Sequence, residues 1–232
     1  MSLILSIESS TSICSVAIAR DGEVIALRES AQGRDHARLV ATYADELLKE
    51  CSIEQSQLDA VAVSKGPGSY TGLRIGVSFA KGLCYGLQIP LIGVSTLESM
   101  ATAAVVGLKS EERGVEPTAI LAPMIDARRM EVYTQLYDAN CLPISEVSAE
   151  VIDDRSFEEY RTNDNFYIFG DGSAKCCESM PWAKYIEVSP SATAIARIAQ
   201  REFEAGRFED VAYFEPFYLK EAVITKSTKK YF

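Results

Sequence analysis

The sequence predicts an α/β fold in which mixed β-sheets are covered by helices, arranged as one large domain or two small lobes. Three observations carry this. Strand and helix patterns follow one another through the first half in the order β-β-β-α-β-α-β-α. A polar stretch at residues 107–117 (GLKSEERGVEP) then marks a boundary, and the second half opens again on strands and ends on a helix. The length of 232 residues is also more than one minimal domain requires.

The elements follow in chain order. Residues 3–8 (LILSIE) are a compact apolar run with β-branched members, and 13–19 (ICSVAIA) is a second. Asp21-Gly22 supplies a two-residue hairpin turn, after which 23–28 (EVIALR) returns, so the chain opens on an antiparallel meander. Asp35 is placed to cap a helix in which Leu39, Val40, Tyr43, Ala44, Leu47 and Leu48 recur at helical spacing. A short buried strand at 59–64 leads into the glycine-rich turn 65–72 (KGPGSYTG), a helix at 73–87, a strand at 91–94 and a helix at about 96–106. Beyond the polar stretch, strands are expected at 119–125, 131–137 and 166–170, and a helix at 192–203 behind Ser191. The lobes are expected at 1–106 and 107–232, with the C-terminal segment free to return to the first. The halves share an order of elements but no visible sequence repeat.

Composition narrows the function. Lys and Arg number 23 against 33 Asp and Glu, for a net charge of −10. Phosphate-backbone binding rests on basic side chains, so the chain is not expected to bind nucleic acid by itself, and any RNA role would need a basic partner. Hydrophobic residues at 47% exclude a disordered chain. The six cysteines (14, 51, 84, 141, 176 and 177) form no CxxC pair and read as reduced thiols of a cytoplasmic protein. With His36 the only histidine, no zinc site is expected. The opening apolar run is too short to span a membrane, and Glu8 interrupts it.

The turn KGPGSYTG lies between a strand and a helix, where free amides and the helix dipole favour an anion. It lacks the GK[ST] ending of a Walker A loop, and a purely structural elbow is the competing reading. If it binds an anion or nucleotide, the contacts are expected from Glu8, Ser10, Thr11, Gly66, Gly68 and Ser69. The following helix carries Gly72, Gly76 and Ala80 on one face, with Gly82 and Gly86 again at i+4. Interior helix glycines cost roughly 0.5–1 kcal/mol each, so close packing against the sheet or against another subunit must compensate. His36 reads as a solvated helix start, Asp171 as a turn residue, and Arg128-Arg129 as a charged turn with phosphate or carboxylate pairing as the second reading. No nucleophile, base or metal set emerges.

Taken in order, ILSIESST, SKGPGSYTGLRIGVSFAKGL, PLIGVSTLESMA and PMIDARRMEVY resemble the signature segments of the bacterial TsaB (YeaZ) family, with a fainter echo at Phe217-Tyr218-Leu219-Lys220. The resemblance implies a two-lobed actin/Hsp70/sugar-kinase-like (ASKHA) fold, each lobe a mixed sheet with helices. It also implies a non-catalytic part in threonylcarbamoyladenosine modification of tRNA beside the anticodon, as scaffold and activator of the TsaD transferase with TsaE, and a homodimer in isolation. TsaD-type proteins carry Asn-His-Leu-Glu-Gly-His after the strand at 91–94, and its two histidines bind metal. Here Thr96 and Met100 occupy those two places, and both are poor ligands for a divalent ion. The resemblance therefore implies an inactive paralogue without metal or resident cofactor, a nucleotide at a partner interface being left open. The partner surface is expected on the helices at about 36–51 and 72–87, through Leu39, Tyr43, Leu47, Gly72, Arg74, Gly76, Phe79 and Ala80. A glycoprotease-type metallopeptidase and a free-standing actin-like ATPase are the alternatives.

Overall fold

Two five-stranded sheets frame the computed structural model, which describes residues 1–31, 35–110 and 114–220. Part of the polar boundary (111–113) and the end of the C-terminal segment (221–232) lie outside the described residues. The first sheet is built from β1 (Leu3–Glu8), β2 (Cys14–Arg20), β3 (Glu23–Ser30), β4 (Ala60–Gly66) and β5 (Leu91–Ser95), in the order β3-β2-β1-β4-β5. β1 runs antiparallel to β2, from Leu3 opposite Arg20 to Glu8 opposite Ser15, and parallel to β4.

β1 is apolar almost throughout because helices cover both of its faces. Leu3, Leu5 and Ile7 join a core closed by α1 (His36–Glu50) and α2 (Tyr70–Leu87). Ile4 points the other way, into a cluster with Ala60, Ala62, Ile92, Val94, and Ile195, Ile198 and Ala199 of α4 (Ala192–Glu204). The second sheet comprises β6 (Ile120–Asp126), β7 (Glu131–Thr134), β8 (Ser148–Val151), β9 (Phe166–Phe169) and β10 (Lys184–Tyr185), in the order β10-β9-β6-β7-β8. α3 (Thr96–Ser110) buries Leu97, Met100, Ala101 and Ala104 against Leu121, Ile125, Tyr137 and Phe169 of that half. The helix before the polar boundary thus covers the second sheet, while α4, from beyond it, covers the first.

A strap follows α4 and returns over the first lobe. Glu209 donates its amide to Leu91 O at 2.8 Å, and Phe214 enters the first core. Lys81 Nζ reaches Ala212 O (3.2 Å) and Phe214 O (2.8 Å). The Phe217 amide donates to Lys65 O at 2.6 Å, and Lys220 pairs with Glu131 of the second lobe. Gly66 makes this approach feasible: its φ is +109°, and a Cβ there would lie 2.6 Å from Phe217 O.

Several boundaries differ from expectation for physical reasons. α2 begins at Tyr70 because the Ser69 hydroxyl accepts the Gly72 amide at 3.3 Å, capping the helix one turn early. α3 runs on into the polar stretch, and β7 ends at Thr134, with Tyr137 rejoining β6 by an isolated bridge to Leu121. β8 and β10 are half-exposed or exposed and carry no alternation to betray them. His36 is buried rather than solvated, its Nε2 lying 3.2 Å from the Ile13 carbonyl oxygen.

Candidate functional site

Between the lobes lies a cleft of about 1110 Å³. The first lobe lines it with Ser10–Ser12 of the β1–β2 hairpin and residues 67–72 of the elbow and α2. The second lobe contributes the β6–β7 turn (126–131) and Asp171, and the strap contributes 217–220 as a rim. Hairpin and elbow are tied together by the Ser69 amide donating to Ser10 O at 2.6 Å. Gly68 lies against the same residue, and any Cβ there would overlap the Ser10 carbonyl. The elbow is therefore tightly packed from below, and its helix start opens on the cleft, where first-turn amides lack intrahelical acceptors.

The acids of the cleft are compensated. Asp126 pairs with Lys175 and accepts the Arg128 amide at 3.1 Å. Asp171 Oδ1 accepts the Asp126 amide at 3.0 Å, while burial raises its carboxyl above the ordinary range. Glu131 pairs with Lys220. Arg128 and Arg129 occupy the left-handed region, at φ 73° and 49°, and their guanidiniums have no hydrogen-bond or ion-pair partner among the described residues.

Of the expected anion contacts, Ser10, Thr11, Gly68 and Ser69 line the cleft. Glu8 lies behind it, fully buried, with Oε1 accepting the Ser10 amide at 2.6 Å and Oε2 unpartnered. Burial raises its pKa, and hydrogen bonds from Ser10, Ser64 and Ser9 offset the rise only in part. Gly66 faces the strap instead of the cleft. Tyr70 and Tyr218, whose rings meet tilted at 36° with centroids 4.7 Å apart, belong to the lining, as do Arg128 and Arg129. The sequence read the arginines first as a charged turn and second as phosphate or carboxylate partners; a left-handed turn facing a second lobe leaves no local pattern.

The expected partner face requires correction. Leu39 (8% exposed), Leu47 (0%) and Ala80 (0%) belong to the first core. Gly72 and Gly76 are buried as well: a Cβ on Gly72 would overlap the Ser9 carbonyl, and one on Gly76 the Ser9 hydroxyl. That row of small residues admits the β1–β2 hairpin, so it cannot be presented to another protein. The outer side of the helix pair is different. Tyr43, Ile75, Phe79, Leu83 and Leu87 are only half-buried, Arg74 is exposed, and Tyr85 is 83% exposed. A Cβ on Gly82 or Gly86 would meet nothing within 4 Å. The sequence placed the helices correctly and mistook which glycine row faces outward.

Thr96 and Met100 are both buried, and the Met100 methyl packs on Gly170 so closely that a Cβ there would overlap it. Among the described residues, no three His, Cys, Asp or Glu side chains gather as a metal would require. No helix of the described residues is long and apolar enough to cross a membrane.

Comparison with known proteins adds to this geometry. The family profile described as TsaD, tRNA N6-adenosine threonylcarbamoyltransferase, matches residues 24–213. The tRNA threonylcarbamoyladenosine biosynthesis protein TsaB of Escherichia coli (strain K12) is 31% identical over 241 residues, covering 96% of this chain and 96% of its own. TsaB of Haemophilus influenzae is 29% identical over 243 residues, covering 96% and 95%. The structure of YeaZ from Pseudomonas aeruginosa superposes with a TM-score of 0.79 at 26% identity, over 94% of this chain and 100% of that one. An activator of 2-hydroxyisocaproyl-CoA dehydratase from Clostridium difficile shares the fold, with a TM-score of 0.50 at 8% identity over 88% of this chain and 96% of its own.

Proposed function

Because this chain belongs to the TsaB (YeaZ) family of tRNA threonylcarbamoyladenosine biosynthesis proteins, we propose that it serves that modification as a non-catalytic subunit, a scaffold and activator for the TsaD transferase acting with TsaE in the cytoplasm. The observation that carries this reading is the outer side of α1 and α2. Half-buried Tyr43, Ile75, Phe79 and Leu83, exposed Tyr85 and the unobstructed Gly82 and Gly86 there make an apolar surface that a helix of another chain can approach closely. The lobe of residues 1–106 is the partner-bearing one on this reading, and in the absence of TsaD the same side pairs two copies of the chain.

Inactivity is supported by Thr96 and Met100. In the frame where TsaD-type relatives carry metal-binding histidines, one side chain here is a buried hydroxyl and the other a thioether spent on packing between the lobes. The net charge of −10 supports contact with tRNA through the partners rather than by this chain. The test is reconstitution with purified TsaD, TsaE, tRNA and the activated threonylcarbamoyl donor, following modified adenosine by mass spectrometry. Full modification with this chain and little without it is expected, and this chain alone should yield none. Equal product in its absence would overturn the proposal.

A further inference from the structure

The second sheet ends on an edge that no described strand covers. β8 lies outermost in the order β10-β9-β6-β7-β8. It pairs antiparallel with β7, from Glu131 opposite Val151 to Thr134 opposite Ser148, and the Ile152 amide donates to Met130 O at 2.8 Å. By the alternation of an antiparallel ladder, the amides and carbonyls of Ala149 and Val151 therefore point away from β7. Neither amide has a partner among the described residues. The same border runs back through Ile144, whose amide donates to Leu136 O, to Pro143, which bridges Tyr137. It is apolar where a guard is usual: Val151 is 66% exposed, Leu142 59% and Ile144 46%. An exposed edge of this kind invites another strand, and proteins ordinarily blunt it. The opposite edge is blunted, since β10 has two residues and one of them is Lys184.

The described chain stops beside this border. Lys220 pairs with Glu131, the residue opposite Val151, and Lys220 and Val151 share the lining of the inter-lobe cleft. Residues 221–232 (EAVITKSTKKYF) lie outside the described residues. Their sequence holds the β-branched run Val223-Ile224-Thr225 and three lysines against one glutamate. The border is charged the other way. Glu146, Glu150, Asp153 and Asp154 lie on or beside β8, and none has an ion pair among the described residues. We propose that the segment 221–232 of the same chain docks on this edge, adding a strand antiparallel to β8 with its lysines toward these acids. The lengths agree. The border from Val151 back to Pro143 measures about 30 Å at roughly 3.4 Å per residue, and the segment can span up to about 40 Å. A strand placed there would pair the free backbone groups of Ala149 and Val151 and cover the Val151 side chain. The assignment concerns the second lobe and does not depend on the docking side of α1 and α2, so each can fail without the other.

The test is hydrogen exchange of the full chain, read by NMR at the Ala149 and Val151 amides. Both are expected to exchange slowly in the parent protein. The double change Val223→Pro and Ile224→Pro removes two adjacent amides, one of which is a ladder donor whatever the register, and leaves residues 1–220 untouched. It should speed exchange at Ala149 and Val151 by about tenfold or more. Amides of β1 should exchange alike in both proteins, which shows that the variant is folded. Dilution by about a hundredfold should change nothing, because the contact lies within one chain. Free exchange at the two amides in the parent would overturn the proposal. So would protection that the proline changes leave in place, or protection lost on dilution, which would assign the edge to a second copy of the chain.

Discussion

Glu8 is the residue whose chemistry is least like its appearance in the sequence. At a strand end it reads as a cleft-facing acid, yet it is buried behind the hairpin with one carboxylate oxygen unpartnered. Its raised pKa means that the folded state holds the proton more tightly than the unfolded chain does. Stability from this group is therefore greatest at low pH and falls as pH rises from the ordinary carboxyl value, about 4.3, through the folded value. Glu8→Gln keeps the shape and removes the ionisation. The variant should melt at the same temperature as the parent near pH 4 and above it at pH 7. Melting curves across that range check this, and a difference that does not change with pH would contradict it. The lesson for reading sequence is specific. The period of β1 assigns Glu8 to the same side as Ile4 and Ser6, but no local signal says that its carboxyl is fully buried there.

At the scale of the element, α2 shows what glycine spacing can and cannot say. The pattern Gly72, Gly76, Ala80 announced a close backbone approach, and one exists: the Ser9 hydroxyl donates to Gly72 O at 3.0 Å across that face. The approaching chain is the protein's own hairpin. Gly76→Leu should therefore push on Ser9 and Val63 and destabilise the folded chain by about 3 kcal/mol or more, the upper end for overpacking. A fall in melting temperature on the order of 10 °C is expected for a chain of this size. An unchanged melting temperature would show that the face is not packed as described. The helices and central strands were legible because their periodicity is strong and both sheet faces are covered. β8 and β10 were not, being short segments held by neighbours distant in sequence.

For the whole molecule, the polar stretch at 107–117 separated two sets of strands, but not the helices that cover them. α3 and α4 each pack on the sheet of the other half, an exchange that helical periodicity alone cannot reveal, because an apolar stripe does not name what it faces. The strap was equally hidden. It has no regular pattern, and it is held by Phe214 in the core, by Lys81 on two of its carbonyls and by Lys220 on Glu131. That same cross-lobe arrangement assembles the cleft and brings the turn of Arg128 and Arg129 to its lining. The family, by contrast, was legible in a few consecutive motifs, and the partner-binding role proposed from it now rests on the outer side of α1 and α2. Gly82→Leu tests that role most directly. Nothing lies within 4 Å of the added Cβ, and a leucine favours an exposed helix over glycine, so the melting temperature should hold or rise slightly. The decisive measurement is the dissociation constant of this variant for purified TsaD beside that of the parent chain. A weakening of about tenfold to a hundredfold with the fold intact is the predicted result, and an unchanged constant would contradict the assignment of that side as the docking surface.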